Sequence, residues 1–303
     1  MTKNLTDKKI GTITRRDFIR GATFAALGAA LPLPLLADDA KPVAKTRVAL
    51  VRNPDVFDKE GGIDPKVISK MMDDALTALF EAEKPIDVWK GLFKPDDVVG
   101  IKSNEWGPLP TPEALEEYFR LSLLQVGVDE KNIDIDDRGV LRSKVFKGST
   151  ALINARPMRT HHWSGVGSLL KNYIMFTPSP PSYHDNYCAD LAKLWDLPMV
   201  QGKTRLNVLV MLTPLFHGVG SHHFNPEYTW KYGGLLVGTD PVALDSVGLQ
   251  ILQAKRLAYF GENKPLRPTA HHIRLADTRH GLGVSDLDKI ELTKIGSTAG
   301  ILI

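Results

Sequence analysis

Short apolar runs alternate with helical patterns along most of this chain, and this alternation constrains its fold more than any other feature. The runs at 47–52, 98–101, 206–212 and 235–238 are almost continuously apolar, as in strands that are buried on both faces. Between the first two, Asp64-Pro65 opens a segment whose apolar residues recur at three- and four-residue spacing as far as Phe80. Strands separated by helices predict an α/β fold in one domain, with a largely parallel or mixed sheet and helices on both faces.

The same reasoning places the remaining elements. It predicts strands at 133–136 and 151–153, helices opened by Thr111-Pro112-Glu113 and over Val242–Leu257, and further helices near 165–175 and 184–196. Ligands of such sheets bind in loops at the carboxyl ends of the strands. The four loops concerned are Lys102–Asn104, Asp136–Arg138, Arg156–Gly167 and Thr213–His223.

The first 37 residues have the order of a twin-arginine export signal. Arg15 and Arg16 stand in a twin-arginine motif, and the apolar run Ala22–Leu36 and the small residue Ala37 follow. The run of about 15 residues is shorter than the ~20 that span a bilayer. We therefore expect residues 1–37 to direct export by the twin-arginine machinery to the periplasm and then to be cleaved, with retention as a tether as the alternative. Residues 38–46 would be a linker and 47–303 the α/β domain.

Charge and cysteine content exclude several classes of function. Residues 1–37 carry six Lys or Arg against two Asp, so the total net charge of +3 leaves about −1 for the rest of the chain. A near-neutral body without a basic run predicts no binding to nucleic acid. Cys188 is the single cysteine, so the chain cannot build an iron–sulfur cluster of its own, and the pattern gives no indication of which cofactor, if any, it binds.

The densest group of polar residues lies between a predicted strand and a predicted helix, at 159–172. A helix that begins near Ser164 would direct backbone N–H groups at an anion, and Arg159 and Lys171 would add positive charge. The alternative is a Gly-rich capped turn whose histidines satisfy backbone groups. Neighbours on a strand point to opposite sides, so only one of His161 and His162 is expected to enter the site. The predicted ligand-binding residues are Arg159, Thr160, Ser164, Gly165, Gly167, Asn172, Asn104 and Asp240.

Four residues are candidates for catalysis. His161 would act as acid or base, and Lys102 and Lys171 would flank it. Asp245 falls early in an apolar helix, where a carboxylate needs a partner, and we expect it to orient Lys102 or Lys171. Asp240 precedes Pro241, so a helix cap explains it equally well.

A second group, His217, His222 and His223, lies in a Gly-rich loop after a long apolar strand. Three imidazoles this close could bind a transition metal, although no nearby carboxylate completes the set. Solvated loop histidines are the alternative.

Taken together, these motifs resemble the family known as domain of unknown function 362. The resemblance runs from about Val48 to Leu292. It rests on the first strand, Ile101–Asn104, Thr111–Glu113, Thr160–Asn172, Leu236–Asp245 and Gly281–Gly283. It implies a fold of this type and a redox context, because some members carry ferredoxin-like iron–sulfur segments. This chain departs from them in lacking the cluster cysteines.

Two functions follow as hypotheses. The first is an exported enzyme, cofactor-dependent or redox-associated, with a pocket for a small anionic ligand. The second is a non-catalytic protein that binds a cofactor or metal for an exported complex, with a redox protein as its partner.

Overall fold

The computed structural model of this protein describes residues 45–218 and 224–303. The predicted export segment at 1–37, most of the predicted linker, and His222 and His223 of the predicted metal loop lie outside the described residues. The described residues, 45–218 and 224–303, belong to one compact unit. No helix of the described part is both long enough and apolar enough to cross a membrane.

A mixed sheet forms the centre of the fold. Its strands within the described residues are β1 (Thr46–Arg52), β2 (Val99–Lys102), β3 (Ile133–Asp136), β4 (Ala151–His161), β5 (Gly165–Gly167), β6 (Thr204–Leu215), β7 (Gly234–Gly238) and β8 (Ile290–Gly296). They lie in the order β3-β2-β4-β6-β7-β1-β8, and β5 pairs with β4. β3, β2, β4 and β6 are mutually parallel, as are β1 and β8, whereas β7 runs antiparallel to both of its neighbours. The predicted α/β fold class is confirmed.

Both faces of the sheet are buried, which explains the continuous apolar runs. In β1, Val48 and Leu50 pack into the core on one face, and Ala49 and Val51 pack into the core on the other. Strict alternation of apolar and polar residues would have exposed one face to water. The sheet is therefore the middle of three layers.

Helices cover both faces. They are α1 (Pro65–Phe80), α2 (Pro85–Leu92), α3 (Glu113–Val126), α4 (Lys144–Gly148), α5 (Leu169–Asn172), α6 (Asp185–Cys188), α7 (Pro241–Phe260) and α8 (His271–Thr278). One-turn 3₁₀ helices lie at Pro54–Val56, Glu130–Asn132, Tyr173–Phe176, Pro180–Tyr183, Pro226–Tyr228 and Leu287–Lys289, and a longer one at Leu191–Asp196. Residues of α1, α2 and α3 pack on one face, and those of α4, α5, α7 and α8 on the other.

The predicted helix starts are confirmed where the sequence provides a capping side chain. Asp64 accepts hydrogen bonds from the backbone N–H groups of Lys66 and Val67, with Pro65 in the first turn of α1. Asp240 accepts from the N–H groups of Val242 and Ala243 in the same way at α7. Such caps satisfy donors that the first helical turn cannot pair internally.

The helices predicted at 165–175 and 184–196 are largely wrong. Gly165 has a φ of 75°, which turns the chain back so that β5 pairs antiparallel with the end of β4. Only the single turn α5 and short 3₁₀ segments follow. Within α6, Asn186 and Tyr187 have left-handed φ angles of 48° and 56°, which break the second helix.

Candidate anion-binding site

The candidate site lies at the carboxyl ends of the parallel strands, on the face covered by α5 and α7. Lys102 at the end of β2 is in register with Asn154 of β4, and Asn154 is in register with Asn207 of β6. These polar side chains are fully buried within otherwise apolar strands. Buried polar groups need partners, and the contacts of this layer show where they find them.

Asn172 of α5 connects these buried polar residues through hydrogen bonds. Its Nδ2 donates to Oδ1 of Asn154 at 2.8 Å and to the carbonyl of Lys102 at 3.0 Å. Asn154 Nδ2 donates to Oδ1 of Asn207 at 3.0 Å, and Asn207 Nδ2 donates to the Thr239 carbonyl at 3.1 Å. This chain of amides fixes α5 against three strands.

Lys102 forms a buried ion pair with Asp137, which follows β3. Its Nζ lies 2.5 Å from Asp137 Oδ1 and also donates to the Ser103 carbonyl at 2.6 Å and to Asn172 Oδ1 at 3.3 Å. Burial lowers the pKa of Lys102 to about 8, against the opposing effect of Asp137. Burial would raise the pKa of Asp137, but the Lys102 ammonium holds it below its usual value. Three acceptors thus surround the Lys102 ammonium.

Asp245 occupies the position that we expected an anionic ligand to take. Its carboxylate accepts hydrogen bonds from the Ser168 hydroxyl at 2.6 Å and from the N–H groups of Leu169 and Leu170 at 2.9 and 3.0 Å. It therefore bonds to the first turn of α5, and not to Lys102 or Lys171 as the sequence suggested. Burial raises the pKa of Asp245 to about 6, although these donors and Arg156 favour the charged form.

Two arginines converge above Gly167 of β5. A Cβ placed on Gly167 would lie 3.0 Å from Arg156 Nη2, 3.5 Å from Arg159 Cζ and 3.5 Å from His161 Cδ2. Arg156 and Arg159 are only 4% and 5% exposed. Nε of Arg156 and Nε and Nη1 of Arg159 have no hydrogen-bond partner within the described residues. The indole of Trp106 covers the Arg159 guanidinium, with the ring centre 4.3 Å from Cζ.

The charge of this cluster is unbalanced. Four buried basic residues, Lys102, Arg156, Arg159 and Lys171, accompany two buried carboxylates, Asp137 and Asp245. Burial lowers the pKa of Arg156 to about 10, and burial together with Arg156 lowers the pKa of Arg159 further. Because guanidinium groups stay protonated in proteins, these shifts express a cost of burying the two cations that the nearby carboxylates of Asp137 and Asp245 offset only in part.

His161 lies at the edge of the cluster and is held neutral. Its Nδ1 accepts the Trp163 backbone N–H at 3.2 Å, so Nε2 carries the ring proton in the neutral form. Burial, then the charges of Lys171 and Arg159, push the pKa of His161 far below its usual value. This favours a hydrogen-bonding role over that of a titrating acid. The predicted opposite orientation of His161 and His162 is wrong, since their rings stack with centres 4.8 Å apart where β4 ends.

Lys171 differs from Lys102 in its partners. Within the described residues its Nζ makes one hydrogen bond, to Cys188 Sγ at 3.6 Å. Burial lowers the pKa of Lys171 to about 8; Arg156 and Arg159 act in the same direction, and Cys188 opposes them. Cys188 is buried, as the sequence suggested, and burial raises the pKa of its thiol.

Other residues predicted to bind the ligand have structural partners. Thr160 Oγ1 donates to the His217 carbonyl at 3.3 Å, and Ser164 Oγ donates to the Val166 carbonyl at 2.7 Å. Asp240, besides capping α7, accepts the Val284 N–H at 2.8 Å. Asn104 is the exception, since it is buried and its Oδ1 is unpaired among the described residues. Gly165 belongs to the turn into β5.

The predicted metal site is described only at His217. Its Nδ1 lies 3.3 Å from Nη1 of Arg256, and burial, with Arg256 and Lys264, lowers the pKa of the ring. A neighbouring guanidinium opposes the binding of a cation. In the described part of the chain, no group of three His, Cys, Asp or Glu side chains is placed to hold a metal ion.

Sequence reasoning placed Arg156 and Asp137 in candidate loops without naming either as a site residue, and it missed the asparagine pair of β4 and β6. The available signal was a polar residue inside a strand that is otherwise apolar, as in Ile153-Asn154-Ala155 and Leu206-Asn207-Val208. A residue of that kind must find a partner inside the fold. The register that pairs these strands could not be read from either segment alone.

Comparison with known proteins agrees with the resemblance seen in the motifs. Residues 124–250 match the family model described as "Domain of unknown function (DUF362)", a segment that contains β3 to β7 and three of the four basic residues of the cluster, Arg156, Arg159 and Lys171. No curated protein and no solved structure gives a significant match. The match supports the family and defines no reaction.

Proposed function

We propose that this protein is exported and binds a small anion, with a carboxylate or phosphate group, between Arg156 and Arg159. One observation carries the proposal: two guanidinium groups are buried beside each other with N–H groups that no described residue accepts. Native proteins pair nearly all buried polar groups, and planar guanidinium groups match carboxylate and phosphate oxygens. An anion would accept hydrogen bonds from these donors, and it would also balance the positive charge of the two arginines.

The ligand is small and enclosed. A Cβ at Gly167 would lie 3.0 Å from Arg156 Nη2 and 3.5 Å from Arg159 Cζ, so even a methyl group there would crowd both guanidinium groups. The rings of His161, His162 and Trp163 form a row from the buried cluster to the surface, where Trp163 is 44% exposed. Trp106 covers the other side of Arg159. A ligand enters this site by displacing one of these rings.

The glycine provides a sharp test of anion binding. Gly167→Ala adds a methyl group beside Arg156 and Arg159 without changing charge, whereas Gly91→Ala, with open space around its Cβ, is the matched control. Calorimetric titrations with phosphate and with L-lactate would measure affinity. We expect the wild type and Gly91→Ala to bind at least one of these anions and Gly167→Ala to bind about tenfold more weakly or not at all. Equal affinity in all three proteins, or none in the wild type, would refute the proposal.

Catalysis and retention are two uses of the same site. The neutral imidazole of His161 and the amine of Lys171 favour an enzyme, because both can interact with a reacting group. The near-complete burial of the arginines favours the second candidate, a protein that retains an anionic cofactor for an exported redox partner. Mass spectrometry of denatured protein purified from the periplasm distinguishes them. A stoichiometric organic anion favours retention, and an empty site with measurable turnover favours the enzyme.

Export has its own test. Arg15→Lys with Arg16→Lys should leave the full chain in the cytoplasm, because the twin-arginine machinery reads the arginine pair. The matched control is Lys8→Arg with Lys9→Arg, which alters the same charged region and leaves that pair intact. Cell fractionation followed by immunoblotting measures the outcome. Periplasmic protein in the arginine double variant would remove export from the proposal.

A further inference from the structure

A cavity lies on the opposite face of the sheet from the arginine cluster, between α1, α2 and α3. Its volume of about 860 Å³ is within the range of about 300–1,000 Å³ that small-molecule sites occupy. We call this cavity the helical cleft. Its walls are largely apolar and include Pro85 and Ile86 of α2 and Leu121 of α3, which is 47% exposed. Apolar walls with a few polar groups are typical of ligand sites.

The charged side chains that line the helical cleft are carboxylates, those of Asp73, Glu113 and Glu117, and no described Lys, Arg or His lines it. Two of the three are already compensated. Glu117 accepts hydrogen bonds from Arg120 at 2.7 and 2.8 Å. Glu113 stands in the first turn of α3, where the positive end of the helix dipole stabilises a negative charge. The carboxylate that remains is that of Asp73.

Asp73 is half-buried and forms no ion pair with a described residue. Lys70, one turn before it on α1, donates to both oxygens of Asp74 at 2.7 and 2.8 Å. Oδ1 of Asp73 accepts a hydrogen bond of 2.6 Å from the Tyr118 hydroxyl, and Oδ2 accepts none from the described residues. Burial raises the pKa of Asp73, and the Tyr118 hydrogen bond acts in the opposite direction. One carboxylate oxygen is thus free for a donor in the cleft.

Two aromatic rings hold this carboxylate in place. Trp89 Nε1 donates to the Tyr118 hydroxyl at 3.3 Å, and that hydroxyl donates to Asp73. The two rings meet edge to face with their centres 5.9 Å apart, and both residues line the cleft. Aromatic ring faces attract cations. A free carboxylate oxygen, aromatic rings and apolar walls therefore match a cation that carries N–H donors and an apolar body.

We propose that the helical cleft binds a small primary amine in its protonated form, with an aryl or alkyl body. The ammonium group donates to Oδ2 of Asp73, and the body packs against Pro85, Ile86 and Leu121. A charge-assisted hydrogen bond of this kind is stronger than one between neutral groups. The cleft shares no residue with the arginine cluster, so the amine site does not depend on whether an anion binds there.

Calorimetric titration of the full protein with two pairs of compounds tests the proposal. Phenethylamine is compared with phenethyl alcohol, and hexylamine with hexanol, so that only the ammonium group differs within each pair. We expect at least one amine to bind saturably at a single site, and the matching alcohol to bind at least about tenfold more weakly. Absence of saturable binding by both amines, or equal affinity of an amine and its alcohol, would overturn the proposal.

A pair of carboxylate variants locates the ammonium group. Asp73→Asn removes the charge and keeps an acceptor for Tyr118, and it should weaken amine binding at least about tenfold. Asp87→Asn is the matched control, because Asp87 is an exposed residue of α2 that does not line the cleft, and it should bind the amine as the wild type does. No loss in Asp73→Asn, or the same loss in both variants, would overturn the proposal.

A second pair tests the cleft at positions where the fold tolerates a change. Leu121→Lys places a competing ammonium at an exposed position of the cleft and should weaken amine binding about tenfold. Leu257→Lys, at a leucine of α7 that is 52% exposed and does not line the cleft, should bind as the wild type does. Unchanged affinity in Leu121→Lys would contradict the proposal. Phosphate binding should be the same in these variants, which distinguishes failure of the amine site from failure of the anion site.

Discussion

Asp245 of α7 accepts a hydrogen bond of 2.6 Å from the Ser168 hydroxyl at the start of α5. With the N–H groups of Leu169 and Leu170, this contact places a carboxylate of the protein itself at the positive end of the short helix. The anion site that we propose therefore lies at the arginines above Gly167 and not at the helix terminus. α5 and its Lys171 are held in place by the same carboxylate.

Asp245→Asn should destabilise the protein by about 2–4 kcal/mol. The amide supplies one acceptor oxygen, and its NH₂ group would face donors that need an acceptor. Urea denaturation measures the free energy of unfolding. Asp286→Asn, at a half-exposed cap, is the control and should cost about 1 kcal/mol or less. Equal effects of the two changes would contradict the anchoring role of Asp245.

Arg159→Met should stabilise the ligand-free protein by about 1–2 kcal/mol and abolish anion binding. Methionine keeps an apolar contact with Trp106 and removes a buried cation whose N–H groups are unpaired. Thermal denaturation in a buffer free of phosphate and carboxylates measures the stability of the ligand-free protein. The change in the melting temperature when phosphate is added measures anion binding. Arg142→Met, on the exposed surface, should change neither. A less stable variant would contradict an uncompensated charge at this position.

Lys102 and Asp137 should show strong coupling in a double-mutant cycle. Either Lys102→Met or Asp137→Leu alone leaves one buried charge unpaired and should cost about 3–5 kcal/mol. The double variant removes both charges, so it should lose much less than the sum of the two. Chemical denaturation of the four proteins gives the coupling energy. Additive losses would show that the 2.5 Å contact contributes no pairing energy.

His272→Leu should reduce the loss of stability in acid. Burial lowers the pKa of His272 to about 3, and the positive charge of Lys171 acts in the same direction. Between about pH 3 and 6.5 the unfolded chain therefore binds more protons than the folded one. Stability from this group is complete above about pH 6.5 and is lost as the pH falls.

Chemical denaturation at several pH values between 3 and 7 measures the slope of the unfolding free energy against pH. The variant should reduce it by up to about 1.4 kcal/mol per pH unit. Asp240 and Asp245, whose pKa values burial raises to about 6, oppose the histidine effect in the wild type and in the variant alike. His271→Leu, at the neighbouring partly exposed position, is the control for the loss of a ring, and it should change the slope less than His272→Leu does. The same slope in the wild type and in His272→Leu would contradict burial of the neutral ring.

The sheet and its caps could be predicted because they depend on local patterns. Asp64 and Asp240 cap helices through residues two and three positions further along the chain, and periodicity alone located α1 and α7. β8 and the short α2 were missed, since half-exposed residues such as those of Ile290–Gly296 give no continuous apolar run. Gly165 shows the limit of pattern reading, because its φ of 75° decides between a helix and a hairpin.

The location of the candidate site in the fold could be predicted from the sequence, but the partners of its residues could not. The rule that ligands bind at strand ends selected the segments of Lys102, Asp137 and Arg159, and the structure brings these segments together. The partners of Asp245 and Lys102 depend on which helix crosses which strand. Contacts such as Asp245 with Ser168 join residues far apart in sequence, so no local spacing encodes them.

The position of β1 has a consequence for how the protein is made. This first strand lies between β7 and β8, which come from the last quarter of the chain. During synthesis β1 leaves the ribosome long before either neighbour exists, and its apolar edges stay unpaired until the final strand is released. Pairing of the whole sheet thus waits for the synthesis of β8, and a chaperone that shields β1 in the interval would increase the yield of native protein.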